Sequence, residues 1–318
     1  MSFPMGLPLM SLILLGGLLV LLAMGTEIYV AMGVMGAIGL IFFVGQPLRQ
    51  FSYTAFEVMN SFILTCMPLF IFMGVIFSST GIIERLFTGA NKIVAGLPGG
   101  IACSVLAANG IFGAISGSSV AAAATFGKIA FPEMEKLGYD PKLALGSLAI
   151  GGTLSVLIPP SLIFVVYGSW QQVSVARLFA AGLIPGILLT IMLMLTVVVM
   201  VVLRPGLAPR HPQVSFVNRI KAILDIVPFL AVIVAVLGAI FAGIMTPTEA
   251  SAIGAILSVL LAVGYRKMTY KALKVSMWDA VKINCMIAFV IFNARVLAQV
   301  FNYIGLTTAF SSFMFTLP

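Results

Sequence analysis

Residues 113–128 read GAISGSSVAAAATFGK, and residues 151–161 read GGTLSVLIPPS. Both stretches lie in a chain of 318 residues that is 61% hydrophobic and 8% charged, with a mean hydropathy of +1.20. That composition places the chain among membrane proteins. Glycine and paired prolines loosen helices, and in lipid a freed backbone N–H or C=O has no water to bond. How these two stretches are accommodated therefore decides the fold.

The long apolar runs lie near 8–23, 27–44, 58–80, 178–203, 223–243, 248–264 and 279–301. Each is long enough for a hydrocarbon core of ~30 Å. The expected class is an all-α polytopic membrane protein; the alternating pattern of an outer-membrane barrel is missing. The first basic residue is Arg49, so residues 8–23 follow no basic n-region and read as a retained span. Cys66, Cys103 and Cys285 are scattered through apolar segments and form no disulfide framework or metal spacing. The net charge of +8 does not point to nucleic acid, because the basic residues cluster at span ends, the positive-inside pattern.

The densest basic loops are 204–221 (Arg204, Arg210, Arg219, Lys221) and 266–274 (Arg266, Lys267, Lys271, Lys274). Two spans separate them, so both can face the cytoplasm. Counting back from them puts every one of the 17 Lys and Arg residues inside except Arg49, Arg177 and Arg295. The amino terminus is then outside. In this scheme 100–135 starts and ends on the cytoplasmic side and cannot be one crossing.

The apolar pieces 101–115 and 118–131 each reach roughly 20 Å at ~1.5 Å per residue, short of the full core but past its middle. With Ser116, Gly117 and Ser118 between them they read as a re-entrant helical hairpin, closed by Pro132 and the charged PEMEKLGYDPK. The stretch 142–169 is long enough to cross, yet Pro159 and Pro160 each lack an N–H and block a bond four residues back. It reads as a discontinuous helix, its first half ending near Thr153 and its second starting near Ser161. A hairpin tip and a helix break at similar depth make one site. Freed carbonyls and hydroxyls suit a hard cation such as Na⁺, and half-helix N-termini suit an anion. Taken singly, the Gly/Ser stretch could mark close helix packing and the prolines a simple kink; the pair, on pieces that cannot span, favours a secondary transporter.

An inverted repeat is visible in outline. Thr26-Glu27 recurs at Thr248-Glu249, and MGVIFSSTGII (73–83) lies on LAQVFNYIGLT (297–307), matching Phe77 to Phe301 and Gly81 to Gly305. The expected organisation is a first span (1–24), a first repeat (25–204), a cytoplasmic basic linker (205–222) and an incomplete second repeat (223–318). The first repeat holds scaffold spans, an amphipathic arm at 82–95, the hairpin at 100–135, the broken helix at 142–169 and a closing span at 178–203. In the arm, Ile82, Ile83, Leu86, Phe87, Ala90, Ile93 and Val94 share one face. Such a helix either lies in the interface plane or links spans beneath the hairpin.

At GAISGSSVAAAA, PEMEKLGYDPKLALGSLAIGGTLSVLIPPSLIFVVYG and MTPTEASAIGA the chain resembles the large membrane subunit of TRAP transporters, the tripartite ATP-independent periplasmic transporters. The resemblance runs from about residue 10 to the end. It implies sodium symport of organic acids, carboxylates or sialic-acid-like, in a bacterial or archaeal inner membrane. It implies two partners, a small membrane subunit and a periplasmic substrate-binding protein, and an elevator mechanism in which hairpins and broken helices move against a scaffold. No cofactor is implied beyond Na⁺ as coupling ion. Carried over residue by residue, the first sodium site falls on Ser116, Gly117, Ser118 and Ser119 at the tip. It also falls on Gly152, Thr153, Ser155, Ile158, Pro159 and Pro160 at the break. Ser155 stands where the family pattern leads one to expect glycine. Members of the family are longer than this chain, so the second sodium site is expected beyond Pro318.

Glu27 and Glu249 open spans at matching repeat positions; capping of a helix N-terminus competes with a role in ion coupling. Arg295 lies inside an apolar span, where it can meet a substrate carboxylate or snorkel to the boundary. His211, the sole histidine, has no partner for zinc or triad chemistry, and FGKI lacks the Ser or Thr of a phosphate loop. Two other functions compete: an ion-coupled carrier or exchanger that needs no binding protein, and an intramembrane enzyme. The enzyme would need paired acids or a nucleophile–base pair in the spans; the only span-edge acids besides Glu27 and Glu249 are Asp225 and Asp279.

Overall fold

A computed structural model of the chain describes residues 6–45, 49–209 and 215–316. Arg210 and His211 lie outside the described residues. The described chain is all-α. The helices are α1 (Leu7–Ala23), α2 (Ile28–Ile38, continued by a π-helical turn Gly39–Val44), α3 (Arg49–Met59), α4 (Cys66–Ser79, entered through a 3-10 turn Ile63–Thr65) and α5 (Ile83–Val94). Then come α6 (Gly100–Ser116), α7 (Ser119–Lys136), α8 (Pro141–Leu157), α9 (Leu162–Gln171) and α10 (Val175–Leu203). The last four are α11 (Phe216–Phe241), α12 (Pro247–Gly264), α13 (Tyr270–Tyr303) and α14 (Leu306–Thr316). Among the described residues five segments are long and apolar enough to cross a membrane: 141–171 (α8 with α9), 175–203, 218–241, 247–264 and 270–303. The chain is a polytopic membrane protein.

The chain forms two compact units, residues 62–281 and residues 1–61 with 282–318. In lipid, tails are as apolar as leucine, so helices associate through close packing of small residues rather than through the hydrophobic effect. The first of these units is built that way. The hairpin legs α6 and α7 pack on each other and both pack on α8. Phe112 of α6 meets Phe126 of α7 edge-on at 5.8 Å, and Phe87 of α5 reaches the same ring at 6.3 Å. Helix α5 is buried against α6 and α11. Its face of Ile82, Ile83, Leu86, Phe87 and Ala90 is covered by protein; Ile93, expected on that face, is exposed. Gly89 lets α5 touch α11, where an added methyl would lie 3.0 Å from the Ala222 carbonyl oxygen. The polar face of α5 is tied down as well: Asn91 donates to Glu133 of α7 (3.3 Å) and accepts from the Ser104 hydroxyl of α6 (3.2 Å).

In the other unit, Met10, Leu14, Met35, Leu40, Phe43, Val296, Leu297 and Val300 form the core. Gly36 and Gly39 leave room for Val296 and Val300, which an added methyl at either glycine would meet closer than van der Waals contact allows. Arg295 pairs with Glu57 at 2.8 Å, and Thr54 donates to Gln299 at 3.1 Å.

Three local expectations are corrected. The run 58–80 is not one helix: α3 ends at Met59 and helix resumes at Ile63. Asn60 and Ser61 intervene, residues whose side chains compete for backbone hydrogen bonds. Pro132 does not close the hairpin; it lies inside α7, which runs to Lys136. The first half of the broken helix ends at Leu157, not near Thr153. Gly151 and Gly152 stay helical because they are packing positions: a methyl on Gly151 would lie 2.8 Å from the Asn109 amide nitrogen, and one on Gly152 would lie 2.9 Å from the Ser119 carbonyl oxygen. The prolines act only on carbonyls up to four residues before them, so the helix survives to Leu157.

Candidate ion and substrate site

The hairpin tip is built by local rules. Gly117 adopts φ +60°, a left-handed conformation that L side chains rarely take, and its N–H donates to the Gly113 carbonyl (2.9 Å). Ser118 then caps α7, its hydroxyl accepting from the Ala121 N–H at 3.3 Å. The break is equally local. Pro159 and Pro160 leave the carbonyls of Ser155 and Val156 without their helical donors. The Ser161 hydroxyl donates to the Val156 carbonyl at 2.5 Å and satisfies that one. The peptide between Pro159 and Pro160 is cis.

Tip and break meet. A methyl built on Gly117 would lie 3.2 Å from the Pro160 carbonyl oxygen and 3.2 Å from the Leu162 amide nitrogen. One built on Gly113 would lie 2.5 Å from the Ser155 Cα, and one on Gly74 of α4 would lie 2.6 Å from the Ser116 Cα. Four helix ends therefore converge: the C-termini of α6 and α8 and the N-termini of α7 and α9. C-termini carry partial negative charge from unpaired carbonyls and N-termini partial positive charge from unpaired amides. No Asp, Glu, Lys or Arg occurs in 113–123 or 151–162. The local field is that of the backbone and the hydroxyls.

Two buried oxygens at the α6–α8 contact have no hydrogen-bond partner among the described residues: Ser155 Oγ and Asn109 Oδ1. Both residues are fully buried. An unpaired buried oxygen costs about 1–3 kcal/mol, so an electropositive species bound there would be stabilised. These donors suit a hard cation held by uncharged oxygens. Asn109 was not singled out from sequence, although an amide in an apolar run was its signal.

The carried-over residues fall as follows. Ser116, Gly117, Ser155, Ile158, Pro159 and Pro160 are buried at or beside the junction, and Ser118 and Ser119 are partly buried at its rim. Gly152 is buried on α8 against α7. Thr153 is on the exposed face of α8, its hydroxyl bonded back to the Ile150 carbonyl at 2.6 Å. Glu249 forms a capping box with Thr246: its carboxylate accepts from the Thr246 N–H at 2.8 Å, and its own N–H donates to the Thr246 hydroxyl at 3.3 Å. Glu27 is exposed at the N-cap of α2 and makes no side-chain capping bond. Arg295 is occupied by Glu57.

An all-α polytopic protein with a helical hairpin seated on a proline-broken helix has an architecture of the kind found in membrane transporters. Residues 15–318 match the family described as tripartite ATP-independent periplasmic transporter, DctM component, and the chain belongs to that family. It is 34% identical over 271 residues to the C4-dicarboxylate TRAP transporter large permease protein DctM of Pseudomonas aeruginosa, covering 85% of this chain and 63% of that protein. It is 31% identical to the protein of the same name in Vibrio cholerae, covering 93% of this chain and 69% of the relative. It is also 31% identical to the sialic acid TRAP transporter permease protein SiaT of Haemophilus influenzae, over 79% of this chain and 44% of that protein. The chain thus spans less than two thirds of the length of the Pseudomonas relative. All three relatives bear the names of transport permeases, none that of an enzyme.

Proposed function

We propose that this chain belongs to the large permease of a transporter that takes up organic acids, C4-dicarboxylates or sialic-acid-like acids, driven by a sodium gradient. In this reading the acid arrives from a periplasmic binding protein, a small membrane subunit completes the permease, and the assembly sits in the inner membrane with the amino terminus outside. The observation that carries it is the seating of Gly117 against Pro160 and Leu162. It places two helix C-termini, suited to Na⁺, beside two helix N-termini, suited to a carboxylate. Ser155 and Asn109 supply uncharged oxygens to the ion, and freed carbonyls at the ends of α6 and α8 complete its surroundings. The substrate anion meets the amides at the start of α7 and α9. Hairpin and broken helix then move together as the elevator.

The test uses the full-length gene product with its small subunit in proteoliposomes, supplied with candidate binding proteins loaded with labelled organic acids. Uptake that requires both an inward sodium gradient and the binding protein is expected. Uptake without the binding protein, or driven by a pH gradient alone, would replace this reading with a stand-alone carrier. Orientation is tested separately: cysteines at Lys136 and Arg49 are expected to label from opposite faces of the membrane.

A further inference from the structure

A cavity of about 350 Å³ opens between α6, α8 and α10, away from the hairpin tip. Its walls are mostly apolar, with Leu106 on α6, Leu143 and Ile150 on α8, and Val197 on α10, interrupted by Ser147 and Thr196. Its rim is charged, formed by Lys142 and Asp140 at the start of α8 and Arg204 at the end of α10. The rim is built rather than incidental. The Asp140 N–H donates to the Leu207 carbonyl at 2.9 Å, which stitches the turn after α10 to the start of α8 and brings Arg204 beside Lys142. The Asp140 carboxylate is engaged as the helix cap, accepting from the N–H groups of Lys142 (2.8 Å) and Leu143 (3.3 Å). Lys142 and Arg204 are both exposed, and neither forms an ion pair among the described residues.

The dimensions are those of one lipid leaflet. Along α8 the cavity runs from Lys142 to Ile150, about 12 Å, and along α10 from Arg204 to Leu193, about 16 Å. Half of a hydrocarbon core is about 15 Å. The segment 141–171 (α8 with α9) and α10 are each long enough to span, so their charged ends belong at the membrane surface and the apolar walls within the leaflet. Two cations without an ion pair among the described residues stand at one end of a greasy slot open to the side. We propose that this groove binds one anionic glycerophospholipid, its phosphate held by Lys142 and Arg204 and an acyl chain lying between α8 and α10.

Gly146 makes the slot testable from inside. A methyl there would touch nothing within 4 Å, so a side chain at this position enters open space, and Gly146→Leu puts its bulk into the groove. The full-length permease would be purified in detergent and titrated with phosphatidylglycerol or phosphatidylcholine of the same chains, and lipid retention read by native mass spectrometry. One phosphatidylglycerol held in preference to phosphatidylcholine is expected. Each basic residue near an anionic headgroup contributes about fivefold, so Lys142→Gln with Arg204→Gln should weaken retention roughly thirtyfold. Gly146→Leu should remove it with both charges in place. Lys128→Gln with Lys136→Gln, a basic pair on α7 outside the groove, should leave it unchanged. Equal retention of both lipids, an unaltered affinity in either groove variant, or the same loss in the α7 control would each overturn the proposal.

Discussion

Gly113 and Ser155 face each other across the contact of α6 with α8 so closely that a methyl on Gly113 would sit 2.5 Å from the Ser155 Cα and 2.9 Å from its hydroxyl. The obstacle is backbone, which cannot rotate aside. Gly113→Ala should therefore push the hairpin leg off α8 and destabilise the protein by about 1–3 kcal/mol. Thermal unfolding in detergent measures this. An unchanged midpoint would show that the two helices are less tightly seated.

Ser155 separates packing from ion binding. Its hydroxyl is buried without a partner, so Ser155→Ala removes an unsatisfied group and should leave sodium-free stability equal or higher. The same change should raise the sodium concentration for half-maximal uptake roughly tenfold, the scale of one lost ligand bond. A variant with normal sodium dependence would take Ser155 out of the ion's surroundings.

Ser118 offers a graded test at the tip. Ser118→Ala loses one N-cap bond and should cost ~1 kcal/mol with uptake largely retained. Ser118→Trp places a bulky ring where tip and break meet and should abolish sodium-dependent uptake without affecting membrane insertion. If the Trp variant transports normally, the tip is not part of the site.

Glu249 is engaged as a cap. A capping box accepts Gln as well as Glu, so Glu249→Gln should keep both stability and uptake, while Glu249→Ala should cost ~1 kcal/mol. Loss of uptake in the Gln variant alone would reveal a role for the charge in coupling.

Arg295 pairs with Glu57 at 2.8 Å. Neutralising Arg295 should lower the unfolding midpoint, and exchanging the two charges, Glu57→Arg with Arg295→Glu, should restore it. If the exchanged pair folds normally yet cannot transport, Arg295 meets the substrate as well.

Much of the site was legible because glycine and proline act on their own backbone. Ser116-Gly117-Ser118 announced a turn between two short helices, and it stands where it was read; Pro159-Pro160 announced a break, which opens after Leu157 rather than near Thr153. What depended on partners was not legible. Gly151 and Gly152 looked like helix looseners until Asn109 and Ala123 were seen packed on them. Asn60 and Ser61 were averaged into the hydropathy of their neighbours, which hid the interruption after α3. The pairing of Glu57 with Arg295 joins distant segments, and nothing in the spacing of either charge points to the other.

Asn91 is a mechanical tie. Its single amide holds Ser104 on one leg of the hairpin and Glu133 on the other, while Gly117 joins the legs at the far end. A two-legged frame pinned at both ends behaves like a closed truss: force applied at one corner is carried around it, and its legs do not splay. A load on this element is then borne by the whole frame.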